Sequence, residues 1–235
     1  PRAALRFELA RTAAVLFDDG RALDGVLAQA VQLSTDAARR RARRALSSYL
    51  AAAVLLPYEA FLDAARRARF DIDHLAQRFG ASFEQVCHRL VSLRRPGAAG
   101  IAFALMRVDA AGFTSKRFPL PQLALPRHGQ ACPMWAVYQA FQTPGTVVRQ
   151  LAGFPTGERL LFVARAVEKP QPGFVLPRRL LSIMLACDAL HADQTVYGDG
   201  LDLSSAAPAV PVGPSCRLCV RRDCLHREEE AVVDT

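Results

Sequence analysis

The stretch "PSCRLCVRRDCLHR", residues 214–227, carries Cys216, Cys219 and Cys224, three of the six cysteines in the chain. Thiolates separated by two residues share a tight turn, and a third close by can converge with them on one soft ion or cluster. Three ligands leave a fourth corner open. His226 would complete a Cys3His zinc site, although its one-residue gap from Cys224 is cramped. Cys132 is the better candidate: it precedes Pro133 at the start of an expected helix, where exposed amides and the helix dipole favour an anionic group. Cys187 is the alternative fourth ligand, or a plain buried cysteine in an apolar segment. Cys87 reads as core. A chance cluster of free thiols fits poorly with so selective a spacing.

A second group of residues is basic. Arg107, Lys116, Arg117, Arg127 and His128 gather around an expected hairpin and its exit, where they suit a phosphorylated ligand; an exposed hairpin face explains them equally well. The net charge is +8, and nearly all the positive charge is arginine because Lys116 and Lys169 are the only lysines. Such a balance favours anionic partners. In "ARRRARRAL", however, Arg39, Arg40, Arg41, Arg43 and Arg44 spread around a helix and read as solvated surface. No phosphate-binding glycine loop, nucleophile elbow or HExxH occurs.

Residues 1–95, upstream of these groups, read as helical. "RFELARTAAVLF" places Phe7, Ala10, Ala14 and Phe17 on one helix face. In "SSYLAAAVLLPYEAFLDAARRARF", Pro57 separates two helices. Ser82 and Gln85 form a capping-box signature ahead of a buried stripe of Val86, Leu90 and Leu93. From Gly97 the pattern changes. "GIAFALMRVDAAGFTSKRF" reads as a hairpin, "CPMWAVYQAFQTPG" as a short helix with Trp135, Tyr138 and Phe141 in the core, and "GTVVRQLAGFPTGERLLFVARAVEK" as a second hairpin. "RRLLSIMLACDALHA" is expected to be an apolar helix, and "AAPAVPVGP", 206–214, a spacer delivering the cysteine tail. The expected fold class is α+β: a helical N-terminal half, then an antiparallel α+β sensor-like domain with a Cys-rich metal-binding tail. The expected divisions are 1–95, 96–205 and 206–235, the last folding back on the second. No stretch reaches the roughly 18 apolar residues of a membrane span, and the start lacks a signal-peptide layout, so no membrane role and a cytoplasmic location are expected.

The N-terminal half resembles the ImmA/IrrE family, whose metallopeptidase helix reads R-F-x-L-A-H-E-x-x-H. Arg6, Phe7, Leu9 and Ala10 match. Arg11 stands at the first histidine, Thr12 at the catalytic glutamate and Val15 at the second histidine. "SSYLAAAVLLPYEAF" is similar to the family's A-N-x-F-A-A-x-L-L-M-P, and Arg44 falls where its acidic zinc ligand is expected. Arginine does not coordinate zinc, and without the glutamate no water is activated, so the resemblance implies a degenerate pseudo-peptidase with no catalytic residues.

"DIDHLAQRFGASFEQVCHRLVSLRRPG", "ACPMWAVYQAFQTPG" and "GPSCRLCVRRDC" closely resemble bacterial transcription regulators that respond to short-chain fatty acyl-CoA and carry a Cys-rich C-terminal domain. The likeness runs over nearly the whole chain and is most specific at Cys132-Pro133 with Trp135 and in the C-R-L-C-x-R-x-D-C tail. It implies the effector-sensing part of such a regulator, with a short-chain acyl-CoA as effector. It further implies a 4Fe–4S cluster, zinc being the alternative, on Cys132, Cys216, Cys219 and Cys224. DNA would be reached through a helix-turn-helix domain not in this chain, and a homo-oligomer is expected. Two other functions stay open: a zinc-stapled protein-interaction module with no small-molecule effector, and an active zinc metallopeptidase, which needs ligands this sequence has lost.

Overall fold

The Ala- and Leu-rich first part of the chain forms α1 (Arg2–Leu16), α2 (Arg21–Gln29), α3 (Asp36–Leu55), α4 (Tyr58–Arg67), α5 (Ile72–Phe79) and α6 (Phe83–Val91). The computed structural model describes residues 2–16, 21–123, 125–126, 130–169, 173, 175, 177–204 and 206–232. Two units are distinguished: Pro1–Arg67 with Ile72–Arg89, and Ala68–Asp71 with Leu90–Thr235. Among the described residues no single helix is long and apolar enough to cross a membrane.

In the first unit, Thr35 caps α3 by accepting the Ala38 amide at 3.1 Å, and the helix stops before Pro57. The capping box opens α6: Ser82 N donates to Gln85 Oε1 at 2.8 Å and Gln85 N to Ser82 Oγ at 3.3 Å. Phe61, Leu62, Ile72, Leu75, Val86 and Cys87 are buried. Helix α1 packs on α3 with Phe7, Ala10 and Ala14 half-buried, while Leu5, Leu9 and Leu16 are exposed. Phe17 lies outside the described residues. The arginine run behaves as solvated surface, with Arg39, Arg40, Arg41 and Arg44 exposed and Arg43 paired to Asp24.

The second unit is built on a six-stranded sheet: β1 (Ala104–Asp109), β2 (Thr114–Phe118), β3 (Val148–Gly153), β4 (Arg159–Lys169), β5 (Arg179–Asp188) and β6 (Val210–Pro211). The order is β2-β1-β5-β4-β3-β6, antiparallel except where β6 pairs with β3. Both expected hairpins form. The first turns where Asp109 Oδ1 accepts the Ala111 and Phe113 amides, and Gly112 takes a left-handed φ of 82° that a side chain would strain.

One expectation fails. The segment "RRLLSIMLACDALHA" is not a helix: residues 179–188 form β5, followed by a 3-10 turn at Ala189–Gln194. This strand lies between β1 and β4, and the unbroken run Leu181–Cys187 is buried, so both faces are covered and the period-two signal disappears. The spacer also contains strand structure, β6, with Pro211 confined to the sheet edge, where its missing N–H costs no ladder bond.

One sheet face carries Ala104, Met106 and Val108 of β1, Met184 and Ala186 of β5, and Leu160, Phe162, Ala164 and Ala166 of β4. The short helix α7 (Ala136–Gln139) and the fully buried Trp135 pack on it. Small residues at Ala136, Ala140, Ala164 and Ala186 let helix and sheet approach closely.

Candidate metal centre

The turn before α7 supplies one corner of the site. Cys132 O accepts the Trp135 amide at 3.0 Å, and Gln150 on β3, 5% exposed, clamps the next turn through Ala136 N at 2.9 Å and Met134 O at 2.8 Å. A buried amide satisfied on both ends fixes the turn tightly. The tail arrives along β6: Val212 N donates to Gly153 O at 3.0 Å, Trp135 Nε1 to Gly213 O at 2.9 Å, and Cys132 N to Pro214 O at 3.3 Å.

A 3-10 turn at Cys216–Leu218, closed by Cys219 N on Cys216 O at 3.3 Å, then brings Cys216 and Cys219 round together. A Cβ at Gly213 would lie 2.5 Å from Cys219 Sγ, so only glycine admits this approach. Cys224 closes the ring. One cavity is lined by Cys132, Cys216, Cys219 and Cys224, with His226, Arg221 and Arg227 also in its wall. Residues more than 80 apart in sequence are thus brought together. Among the described residues, no group of three or more His, Cys, Asp or Glu side chains is placed to hold a metal ion.

Burial pushes the Cys132 thiol up from its ordinary value; the backbone amides of Gly213 and Met134 pull it back, and Cys216 and Cys219 add to the rise. Cys187 lies elsewhere. On β5 its neighbour Ala186 faces the Trp135 core, so Cys187 points to the opposite sheet face, beside Leu161 of β4. Burial raises its thiol to about 12, with Asp188 adding to the effect. It is not brought to the cavity.

The basic residues are only partly united. Arg107 stands opposite Lys116 on β2 and opposite Ile183 on β5, and Ile183 stands opposite Arg165 on β4. Cross-strand partners share a face, so Lys116, Arg107 and Arg165 form one row on the face away from Trp135. Arg107 Nε donates to Ser115 Oγ at 2.9 Å. Arg117 departs from this row, its Nη1 donating to Pro126 O at 3.1 Å, and Arg127 and His128 lie outside the described residues. Arg165 escaped sequence reasoning because only the β1-β5-β4 register places it beside Arg107. On α1, Arg11 Nε donates to Glu8 Oε2 at 3.0 Å; Thr12 and Val15 follow on the same helix, and Arg44 is on α3.

Residues 92–234 match the family described as short-chain fatty acyl coenzyme A regulator, C-terminal, and residues 13–91 match the IrrE N-terminal-like domain. The chain is 46% identical over 222 residues to the propionyl-CoA carboxylase regulator of Cereibacter sphaeroides, covering 94% of this chain and 47% of that protein. To the HTH-type transcriptional regulator PrpR of Mycobacterium tuberculosis it is 41% identical over 205 residues, covering 87% and 42%. It therefore spans about half the length of these curated relatives, or less. A solved Mycobacterium tuberculosis transcriptional regulator superposes with a TM-score of 0.89 at 37% identity, over 98% of this chain and 69% of that one.

Proposed function

Because the chain belongs to the family of short-chain fatty acyl coenzyme A regulators, we propose that it is the effector-sensing part of a transcription regulator of short-chain acyl-CoA metabolism. In this reading it binds an acyl-CoA and a 4Fe–4S cluster, and it works in the cytoplasm as a homo-oligomer. DNA is contacted through a helix-turn-helix domain of a longer protein, and two-fold symmetry would suit paired half-sites. The names of the relatives support the regulatory role.

The observation that carries the cofactor reading is the convergence of Cys132 with the three tail cysteines on one cavity. An all-sulfur donor set suits iron–sulfur chemistry. Bound there, a cluster would supply a one-electron redox centre. The protein's own contribution is to hold the four thiols, with Arg221 and Arg227 in the same cavity wall. His226 in the same wall favours the second reading, a Cys3His zinc staple. Broad visible absorption separates the cluster from colourless zinc.

The phosphates of the acyl-CoA would meet the row of Lys116, Arg107 and Arg165. Titration calorimetry with acetyl-, propionyl- and butyryl-CoA and with free CoA, on metal-loaded protein, tests this. Arg107→Ala and Arg165→Ala should each weaken binding about 10- to 100-fold, the weight of a charge-assisted hydrogen bond. Absence of heat and of thermal shift with every ligand defeats the effector reading.

The helical unit serves as a scaffold in this proposal and not as a peptidase, because Arg11, Thr12, Val15 and Arg44 supply neither zinc ligands nor a general base. Proteolysis that chelators abolish, and that Arg11→Ala leaves unchanged, would count against it.

A further inference from the structure

A single guanidinium, that of Arg227, gathers the backbone of the cysteine segment. Its Nη1 donates to the carbonyls of Cys216 at 3.0 Å and Glu229 at 3.3 Å; its Nη2 donates to Cys219 O at 3.1 Å and to Arg221 O. Cys216 O already accepts Cys219 N inside the Cys216–Leu218 turn, so Arg227 adds a second donor there and reaches past the turn to the carbonyls of Cys219 and Arg221. Arginine's planar fork presents several N–H groups in fixed directions, which a lysine ammonium does not.

Arg221 makes the second attachment. Its Nη2 donates to Gly153 O at 3.0 Å and its Nε to Val212 O at 3.4 Å, tying the segment to the end of β3 and to the residue after β6. Arg227 is half-buried although its neighbours Leu225 and His226 are exposed. None of these bonds involves a sulfur or a metal.

We propose that Arg227 and Arg221 are positioning residues that hold Cys216, Cys219 and Cys224 against Cys132 without any metal, so that the site exists before its metal arrives and persists after its loss. What the site takes rests on the function proposed above; the staple does not. A preformed site spares the cost of ordering the tail when the metal binds. The two guanidinium groups offset the charge that several thiolates bring into one small space. The same staple would let a redox-active group come and go while the tail stays docked.

The experiment is site-resolved alkylation of the reduced, metal-free full chain by iodoacetamide, read by peptide mass spectrometry. Cys132 and Cys219 are each 7% exposed and report on the docked tail; Cys87 and Cys187, buried elsewhere at 0% and 1%, report on general unfolding. Arg227→Ala should speed labelling of Cys132 and Cys219 roughly 10- to 100-fold through local opening, with Cys87 and Cys187 unchanged. Arg227→Lys should fail to restore protection, and Arg221→Ala should act in the same direction as Arg227→Ala.

Wild-type rates for Cys219 in both alanine variants overturn the proposal. So does rapid labelling of Cys219 in the wild-type metal-free protein, or equal acceleration at Cys87 and Cys187. Anaerobic reconstitution with ferrous iron and sulfide keeps the two readings apart. A wild type that takes up no iron, yet protects Cys219 until Arg227 is removed, defeats the cluster and supports the staple.

Discussion

Cys132→Ser is expected to abolish cluster uptake, as are Cys216→Ser, Cys219→Ser and Cys224→Ser, whereas Cys187→Ser is expected to leave iron content and visible absorption at wild-type levels. The four cysteines of the first group line one cavity. Cys187 is one residue beyond Ala186, which faces that side of the sheet, and the strict alternation of a strand sends its side chain to the other face. No rotamer change brings a sulfur through a hydrogen-bonded sheet. Burial also pushes the Cys187 thiol up to about 12, as it raises Cys132, so the placement of the side chains and not their acidity separates the two. The measurement is iron and sulfide per chain after anaerobic reconstitution of each single variant. Full iron in Cys132→Ser with loss in Cys187→Ser would reverse the assignment, and zinc in place of iron in the wild type would replace the cluster with a staple.

Legibility in the sequence followed the range of the interactions involved. The capping box of Ser82 and Gln85 and the turn at Asp109 are contained within a few residues, and both stand as read. The C-x2-C pair is equally local, because one 3-10 turn is enough to bring Cys216 and Cys219 together. The strand β5 was misread because its apolar character comes from neighbours on both faces, which are contributed by distant segments. Arg165 was missed for a related reason: its proximity to Arg107 exists only through the register of three strands. The spacer shows a third limit. Two residues of strand held by backbone pairing to β3 leave no compositional trace, least of all when one is Pro211. Nothing in the sequence marks Arg221 and Arg227, because their partners are main-chain carbonyls.

The other large effect is expected at Trp135, where the core of the sheet unit and the cysteine site share a side chain. Its ring is fully buried, tilted against Phe162 at 5.3 Å and edge-on to Phe154 at 6.2 Å between centroids. Its indole N–H meets Gly213 O, the residue packed against Cys219 Sγ. Trp135→Ala should destabilise the sheet unit by about 3–5 kcal/mol, the range for emptying a large aromatic site. Trp135→Phe separates the two roles. It keeps most of the apolar contact but leaves the Gly213 carbonyl without the donor it now has, a cost of about 1–3 kcal/mol. Urea unfolding followed by circular dichroism gives the first quantity, fitted to the sheet unit's own transition because two units need not melt together. Alkylation of Cys132 and Cys219 gives the second. If the indole latch matters, Trp135→Phe loosens the cysteine site more than its modest loss of stability would predict. A phenylalanine variant with wild-type protection at both cysteines would show that the arginines alone hold the tail, and would leave Trp135 a core residue and nothing more.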